Sequence, residues 1–240
     1  MAGRIYLTGD THGSFKRVKL FCHMHGLTED DVVVILGDAG LNYYLSDRDK
    51  HGKKMLERLP PKFLCIHGNH EERPCNLPQY REAQAFGGTV YVEDRFPHIL
   101  FAKDGEVYDL GGTRCLVIGG AYSVDKDYRL QKGYQWFESE QPDDEIKQRV
   151  EAKLESCGWK VDVVLSHTVP LRFEPREAFI PQVDQSKVDK STERWLGQIE
   201  AKMDYERWYA GHFHIEKQVE RLRIMHFGWC RLWPHEDEVI

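Results

Sequence analysis

The apolar residues of the chain gather into short runs that break off at a glycine and give way to polar side chains. Residues 32–36 read Val-Val-Val-Ile-Leu and stop at Gly37-Asp38. Residues 63–66 read Phe-Leu-Cys-Ile and, past His67, stop at Gly68-Asn69-His70-Glu71. Residues 4–8 run into Gly9-Asp10-Thr11-His12, residues 161–165 into Ser166-His167, and Tyr209-Ala210 into Gly211-His212-Phe213-His214. Runs this short and this apolar predict strands buried on both faces. Helical spacing fills the gaps between the first three. Ser14 is placed to cap a helix carrying Phe15, Val18, Phe21 and Cys22, with Gly26 as its stop. A second short helix is predicted over residues 53–59, broken by Pro60-Pro61. Strand, helix, strand is the pattern of a largely parallel sheet, in which ligands gather beyond the carboxyl ends of the strands. Asp10, Asp38 and Asn69 fall at those ends.

From residue 86 to 122 the pattern changes. Gly87-Gly88, Asp104-Gly105 and Gly111-Gly112 punctuate β-prone runs at 89–92, 98–102, 106–110 and 115–118, and residues 102–106 carry a hairpin signal. Pro142 and the acids after it open a helix that runs to about residue 156. Residues 168–190, with Pro170, Pro175 and Pro181, read as a long loop, and loops of that length commonly carry function. An amphipathic helix over 191–203 and two closing strands, through Val219, Leu222, Ile224 and residues 226–229, complete the chain. The expectation is an α/β fold in a single domain spanning residues 1–240.

Composition narrows the setting. A net charge of -6 argues against a protein that coats nucleic acid, and no stable nucleic-acid binding is expected. The start, Met1-Ala2-Gly3-Arg4, enters a strand without a leader pattern, and no apolar run is long enough to span a membrane. The six cysteines form no C-x-x-C pair and read as reduced thiols of a cytoplasmic protein.

The strand ends supply candidate metal chemistry: two carboxylates (Asp10, Asp38), one amide oxygen (Asn69) and four imidazoles (His12, His167, His212, His214). An oxygen-and-nitrogen set without thiolate suits manganese, iron, zinc or nickel in open coordination rather than a structural zinc. The set is too large for one ion and fits two divalent ions sharing a carboxylate. Asp10/His12 and His212/His214 stand two residues apart, and in extended backbone such pairs point the same way. Gly9, Gly37, Gly68 and Gly211 each precede a ligand, where a missing Cβ lets backbone crowd a compact site. Two divalent cations against two carboxylates leave positive charge for an anionic phosphate and an activated water. His70 is placed to contact that phosphate and to protonate the leaving oxygen. Glu71 reads as an acceptor for loop backbone. Tyr43, Tyr44 and the 168–190 loop are expected to shape the pocket. Asp125, Lys126 and Arg129 read equally as substrate contacts or as a solvated turn, and Arg172 and Arg176 as loop charges. His23, His25, His51, His98, His226 and His235 are given no special role.

Gly-Asp-x-His-Gly at 9–13, Gly-Asp at 37–38, Gly-Asn-His-Glu at 68–71, His167 and Gly-His-x-His at 211–214 resemble, block for block and in order, the calcineurin-like metallophosphoesterase family. The resemblance implies a four-layered α/β/β/α sandwich. It implies one metal held by Asp10, His12, Asp38 and His214, a second held by Asp38, Asn69, His167 and His212, and His70 as the catalytic histidine. The cofactors would be two divalent ions, manganese, iron or zinc. The reaction would be hydrolysis of a phosphate mono- or diester by a metal-bound hydroxide. Two departures stand out. Protein serine/threonine phosphatases carry Asp-Arg-Gly where this chain has Asp38-Ala39-Gly40, so the acid that would pair with His70 is absent there. They also carry Arg where this chain has His67. A small-molecule or nucleotide ester is therefore expected rather than a phosphoprotein. A catalytically silent scaffold of the same fold is the alternative.

Overall fold

The computed structural model describes residues 3–236. The first half runs β1 (Ile5–Thr8), α1 (Lys16–Met24), β2 (Val32–Ile35), α2 (Asp47–Leu56), β3 (Lys62–Cys65), β4 (Tyr80–Ala85), β5 (Gly88–Glu93), β6 (Ile99–Ala102), β7 (Val107–Leu110) and β8 (Thr113–Ile118). The second half runs α3 (Lys126–Lys132), α4 (Asp144–Ser156), β9 (Val163–Ser166), α5 (Ser191–Glu200), β10 (Arg207–Ala210), β11 (Lys217–Val219), β12 (Leu222–Ile224) and β13 (Trp229–Arg231).

The strands form two mixed sheets, in the orders β13-β1-β2-β3-β6-β5-β4 and β11-β12-β10-β9-β8-β7. β1, β2 and β3 are parallel neighbours in the first sheet, and β8, β9 and β10 in the second. Alternation along each strand decides which layer a side chain enters. Leu7, Val34, Leu64, Val117, Leu165 and Tyr209 pack in the slab between the sheets. The alternate positions Tyr6, Val33, Ile35 and Phe63 face outward, onto Val18 and Phe21 of α1 and Leu56 of α2. On the other flank Leu116, Val164 and Trp208 meet Ile146 and Val150 of α4 and Leu196 and Ile199 of α5. Three apolar slabs separate four layers, the expected α/β/β/α sandwich. Among the described residues no helix is long and apolar enough to cross a membrane.

Several expectations are corrected. Residues 102–106 do not make a hairpin: β6 and β7 lie in different sheets, and the turn carries the chain from one to the other. Its Asp104 is buried, accepts the Gly119 N–H and pairs with Arg73, a cross-link that sequence spacing cannot display. Consecutive strands pair antiparallel at β4/β5, β5/β6, β7/β8 and β11/β12. β4 escapes the sequence because Tyr-Arg-Glu-Ala-Gln-Ala has helical composition and becomes a strand only by pairing at an edge. The second helix starts at Asp47 behind the cap Ser46, whose side chain accepts the Arg48 N–H, and not at residue 53. Lys53 on its inner face obscured the pattern; it is buried against Glu93 at 2.9 Å. α1 begins after Phe15, with no side-chain cap from Ser14. α3 was not anticipated because none of its residues is buried. After β10 there are three closing strands rather than two, and β13 pairs with β1.

Candidate metal centre

The carboxyl ends of β1–β3 and of β8–β10 meet across the central slab, and all seven candidate ligands arrive there. Asp38 lies at the middle. Its Oδ2 stands 3.9 Å from His12 Nδ1, 3.9 Å from His70 Nε2 and 3.7 Å from His167 Nε2. Its Oδ1 accepts the His70 N–H at 2.8 Å. On the rim, His12 Nε2 and His214 Nε2 are 2.9 Å apart, and His214 Nε2 is 3.1 Å from Asp10 Oδ2. Deeper, Asn69 Oδ1 is 2.8 Å from His167 Nε2 and 3.0 Å from His212 Nδ1. Ligand atoms of Asp10, His12 and His214 all lie within 4.8 Å of one another, and so do those of Asp10, Asp38 and His167.

These side chains converge, but not by strand alternation as the two-residue spacing suggested. His12, Asp38, His212 and His214 have φ of 45°, 48°, 68° and 54°. The left-handed region is sparsely used by residues with a Cβ, and its cost is tolerated where surrounding structure over-determines it. Two glycines carry the approach. At Gly37 (φ 94°) a Cβ would lie 2.0 Å from His167 Nδ1, and at Gly68 one would lie 2.0 Å from Asp38 Oδ1. Neither position can accept a side chain without displacing a ligand.

The protonation pattern tests whether the pocket suits cations. His167 Nδ1 faces the Leu36 carbonyl at 2.9 Å and must donate to it. In a neutral ring Nε2 is then a lone pair. Asn69 Nδ2 donates to Ser123 Oγ at 2.9 Å, so its Oδ1 is the atom turned toward His167. With the ring neutral, two acceptors face each other at 2.8 Å, an arrangement a divalent cation would relieve. Burial holds His212 well below the usual imidazole range, and desolvation pushes His12 down to about 4, so both rings keep a lone pair for a metal at neutral pH. Burial and then the neighbouring Asp10 raise Asp38 well above the usual carboxylate range, the response of crowded acids lacking a counter-charge.

His70 lines the cavity with no carboxylate hydrogen-bonded to its ring. Its Nε2 lies 3.4 Å from Arg129 Nη2, and burial followed by Arg129 pushes its pKa down to about 2. Arg129 is held by Asp125 Oδ2 (2.8 Å) and Tyr43 Oη (2.8 Å). Arg129 thus turns toward His70 rather than into solvent; Tyr43 touches it, while Tyr44 turns to Arg48. Glu71 accepts the Gly68 and Ala39 N–H groups as anticipated. His67 is buried with Nε2 at the Ser139 carbonyl, outside the cluster. His226 stacks on His214 with centroids 4.6 Å apart. Arg172 is more than a loop charge, bridging Glu200 and Glu220. Sequence reasoning missed Ser123, which orients Asn69, and Arg17, whose guanidinium binds the carbonyls of Gly9, Asp10 and His226.

A cavity of ≈ 440 Å³ opens over the cluster, walled on one side by the 168–190 loop and by Glu193 at the start of α5. The sequence profile of the calcineurin-like phosphoesterases matches residues 3–216. The chain belongs to the calcineurin-like phosphoesterase family. It is accordingly a metal-dependent hydrolase of phosphate esters. Among solved structures this phosphoesterase is similar to phosphopantetheinyl hydrolase from Mycobacterium tuberculosis, at 14% identity over 100% of this chain and 99% of that one, with a TM-score of 0.54. At that identity the likeness shows the fold. An archaeal phosphodiesterase matches at 10% identity over 93% of this chain and 82% of its own, with a TM-score of 0.32, too low to support an argument. No curated protein matches the chain.

Glu193 gives the phosphoesterase a measurable pH signature. Burial pushes its carboxyl up to about 7 from an ordinary 4.5. The fold therefore favours the protonated form, and this contribution to stability is lost as pH rises from the unfolded value through about 7. Gln mimics the protonated state. The stability of Glu193→Gln relative to the natural chain should rise between about pH 5 and about pH 8, by at most about 3 kcal/mol, in urea denaturation. A pH-independent difference would show that the carboxyl is not held neutral.

Proposed function

We propose that the protein is a dimetal phosphoesterase in which Asp38 is shared. Asp10, His12, Asp38 and His214 would hold one divalent cation, and Asp38, Asn69, His167 and His212 the other. The observation that carries this reading is the facing of acceptors, Asn69 Oδ1 against His167 Nε2 at 2.8 Å, beside a carboxylate whose Oδ2 is within 3.9 Å of three imidazoles. Manganese, iron or zinc suits the oxygen-and-nitrogen donor set. When bound, the cations would supply Lewis-acid charge for the phosphoryl oxygens and a water whose pKa falls from about 15.7 toward about 7.

The chain's own residues do the rest. Arg129, fixed by Asp125 and Tyr43, presents a guanidinium beside His70 and orients an anionic phosphate over the cluster. His70, its N–H bound to Asp38, assists phosphate binding and protonates the leaving oxygen. The substrate-free site keeps the ring neutral, so His70 would take up its proton from water once an anionic ester is bound beside it. A cavity of ≈ 440 Å³ walled by the 168–190 loop suits a small phosphate ester better than a phosphoprotein. Buried thiols at Cys22, Cys65, Cys115 and Cys230, all unpaired, agree with a reducing, cytoplasmic setting. No feature of the site favours the silent scaffold.

The protein should hydrolyse p-nitrophenyl phosphate or its bis-ester once manganese is added. No turnover with any of manganese, iron, zinc or nickel would overturn the reading. Asp38→Asn should lower the content of both metals together, measured by elemental analysis of the purified variant; loss of one alone would remove Asp38 as the shared ligand. His70→Ala should slow alkyl esters about 10²–10⁴-fold, and activated aryl esters far less, because only a poor leaving group needs a proton. Equal losses would leave His70 a binding role only.

A further inference from the structure

The cavity over the cluster joins two chemistries. Candidate ligands line it together with His70 and Arg129, and so do the hydrocarbon side chains of Val124, Phe179, Ile180, Val183, Val188 and Phe213. The two meet at Phe213. Its ring stands edge-on to His212 with centroids 4.8 Å apart, and Phe179 of the 168–190 loop lies alongside it at 6.5 Å. An apolar surface therefore begins one side chain away from the candidate ligands. None of the six is buried, and Ile180 is 50% exposed. Hydrocarbon left in contact with water is stabilised when the hydrocarbon of a ligand takes the water's place.

Charge narrows what that ligand can be. Among the described residues that line the cavity Arg129 is the one Lys or Arg, and it stands beside His70. Asp125, Glu174 and Asp189 line it too. A leaving group with further phosphates or carboxylates would meet these acids and no second cation. A cationic leaving group finds the acids already matched. Arg129 binds Asp125 at 2.8 Å and Lys190 binds Glu174 at 2.8 Å, while Asp189 accepts the Ser191 N–H at 2.8 Å and the Gln141 amide at 3.1 Å. Lys190 Nζ also lies 4.6 Å from the centroid of the Phe179 ring, so that ring already has a cation against it.

We propose that the substrate is a phosphate ester of an uncharged, apolar alcohol, whose hydrocarbon part packs on Phe213, Phe179 and Ile180. The proposal rests on the dimetal reading for the place of the phosphate, and deepens it by naming the leaving group. Phe213 stands between His212 and His214 in sequence, so the turn that places those two also fixes where the hydrocarbon begins. Phe179 and Ile180 come from the loop and carry the apolar surface onward. Alkyl chains and aryl rings share this chemistry.

The test measures kcat/KM of the manganese-loaded protein on primary alkyl phosphates from methyl to octyl. The value should climb about 2- to 4-fold per methylene until the apolar surface is covered. 3,3-Dimethylbutyl phosphate should exceed its trimethylammonium isostere about 10-fold or more. 2-Phenylethyl phosphate set against the alkyl series shows whether ring or chain fills the wall; a lead of either over methyl phosphate supports the proposal. Phe179→Ser and Ile180→Asn should each flatten the climb, and Ile180 is exposed enough for its replacement to leave the core intact. A flat series, a cationic isostere that equals the neutral one, or a climb unchanged in both variants would overturn the proposal. Alkylphosphonates of the same lengths, titrated by calorimetry, separate this outcome from failure of the phosphoesterase reading. Affinity that climbs with length and flattens in the variants supports the proposal even if no ester turns over. Affinity without length dependence, or no binding at all, overturns it even if methyl phosphate is hydrolysed and the dimetal reading stands.

Discussion

Acceptors crowded against acceptors are the constraint on which this molecule is built. Asn69 Oδ1, His167 Nε2 and the carboxylates of Asp10 and Asp38 converge with few hydrogens among them, and backbone donors are spent on the outer oxygens. Asp38 Oδ1 takes the His70 N–H, and Asp10 Oδ1 takes the His212 N–H at 3.0 Å. What remains inward is lone-pair density. Such a cluster is unfavourable alone and favourable around cations, so the residues that hold it in place must be rigid. Two parallel triplets of strands, buried on both faces, provide that rigidity. The left-handed turns after them spend some of it.

The division of labour follows from the layers. The sheets fix the inner candidate ligands, Asn69 and His167, which are buried; the turns carry His12 and His214 to the open rim. Arg129 and the 168–190 loop belong to neither sheet. The loop forms one wall of the cavity, where chemistry can vary without disturbing the candidate ligands, while Arg129 stands beside His70. The candidate ligand cluster is thus set by strand ends, and the cavity wall over it by loop and helix termini.

Much of this was legible in the residues, for a physical reason. Strands buried on both faces must be apolar throughout, and a polar residue directly after a glycine at such a strand's end announces its purpose. The five blocks stood out on that ground, and the four-layered sandwich followed from the family they resemble. What stayed hidden depends on partners distant in sequence. Tyr-Arg-Glu-Ala-Gln-Ala becomes β4 only because β5 lies beside it. The 102–106 turn resembles a hairpin until Asp104 is seen bound to Arg73. Arg129 lies on a helix with no buried residue, so no periodicity marks it, and its role emerges only when Tyr43, 86 residues away, is found holding it. Local geometry misled once more at His12, His212 and His214, whose shared direction comes from left-handed backbone rather than from alternation.

The contact between Asp10 and His214 joins residues 204 positions apart. As a ribosome makes this chain, the first candidate ligand emerges 204 residues ahead of its companion. No shorter nascent chain can assemble the rim cluster, whatever cations surround it. Cleavage of the completed polypeptide anywhere between the two leaves them together only if the packed layers outlast the cut. The rim cluster can therefore form only in a chain made through His214.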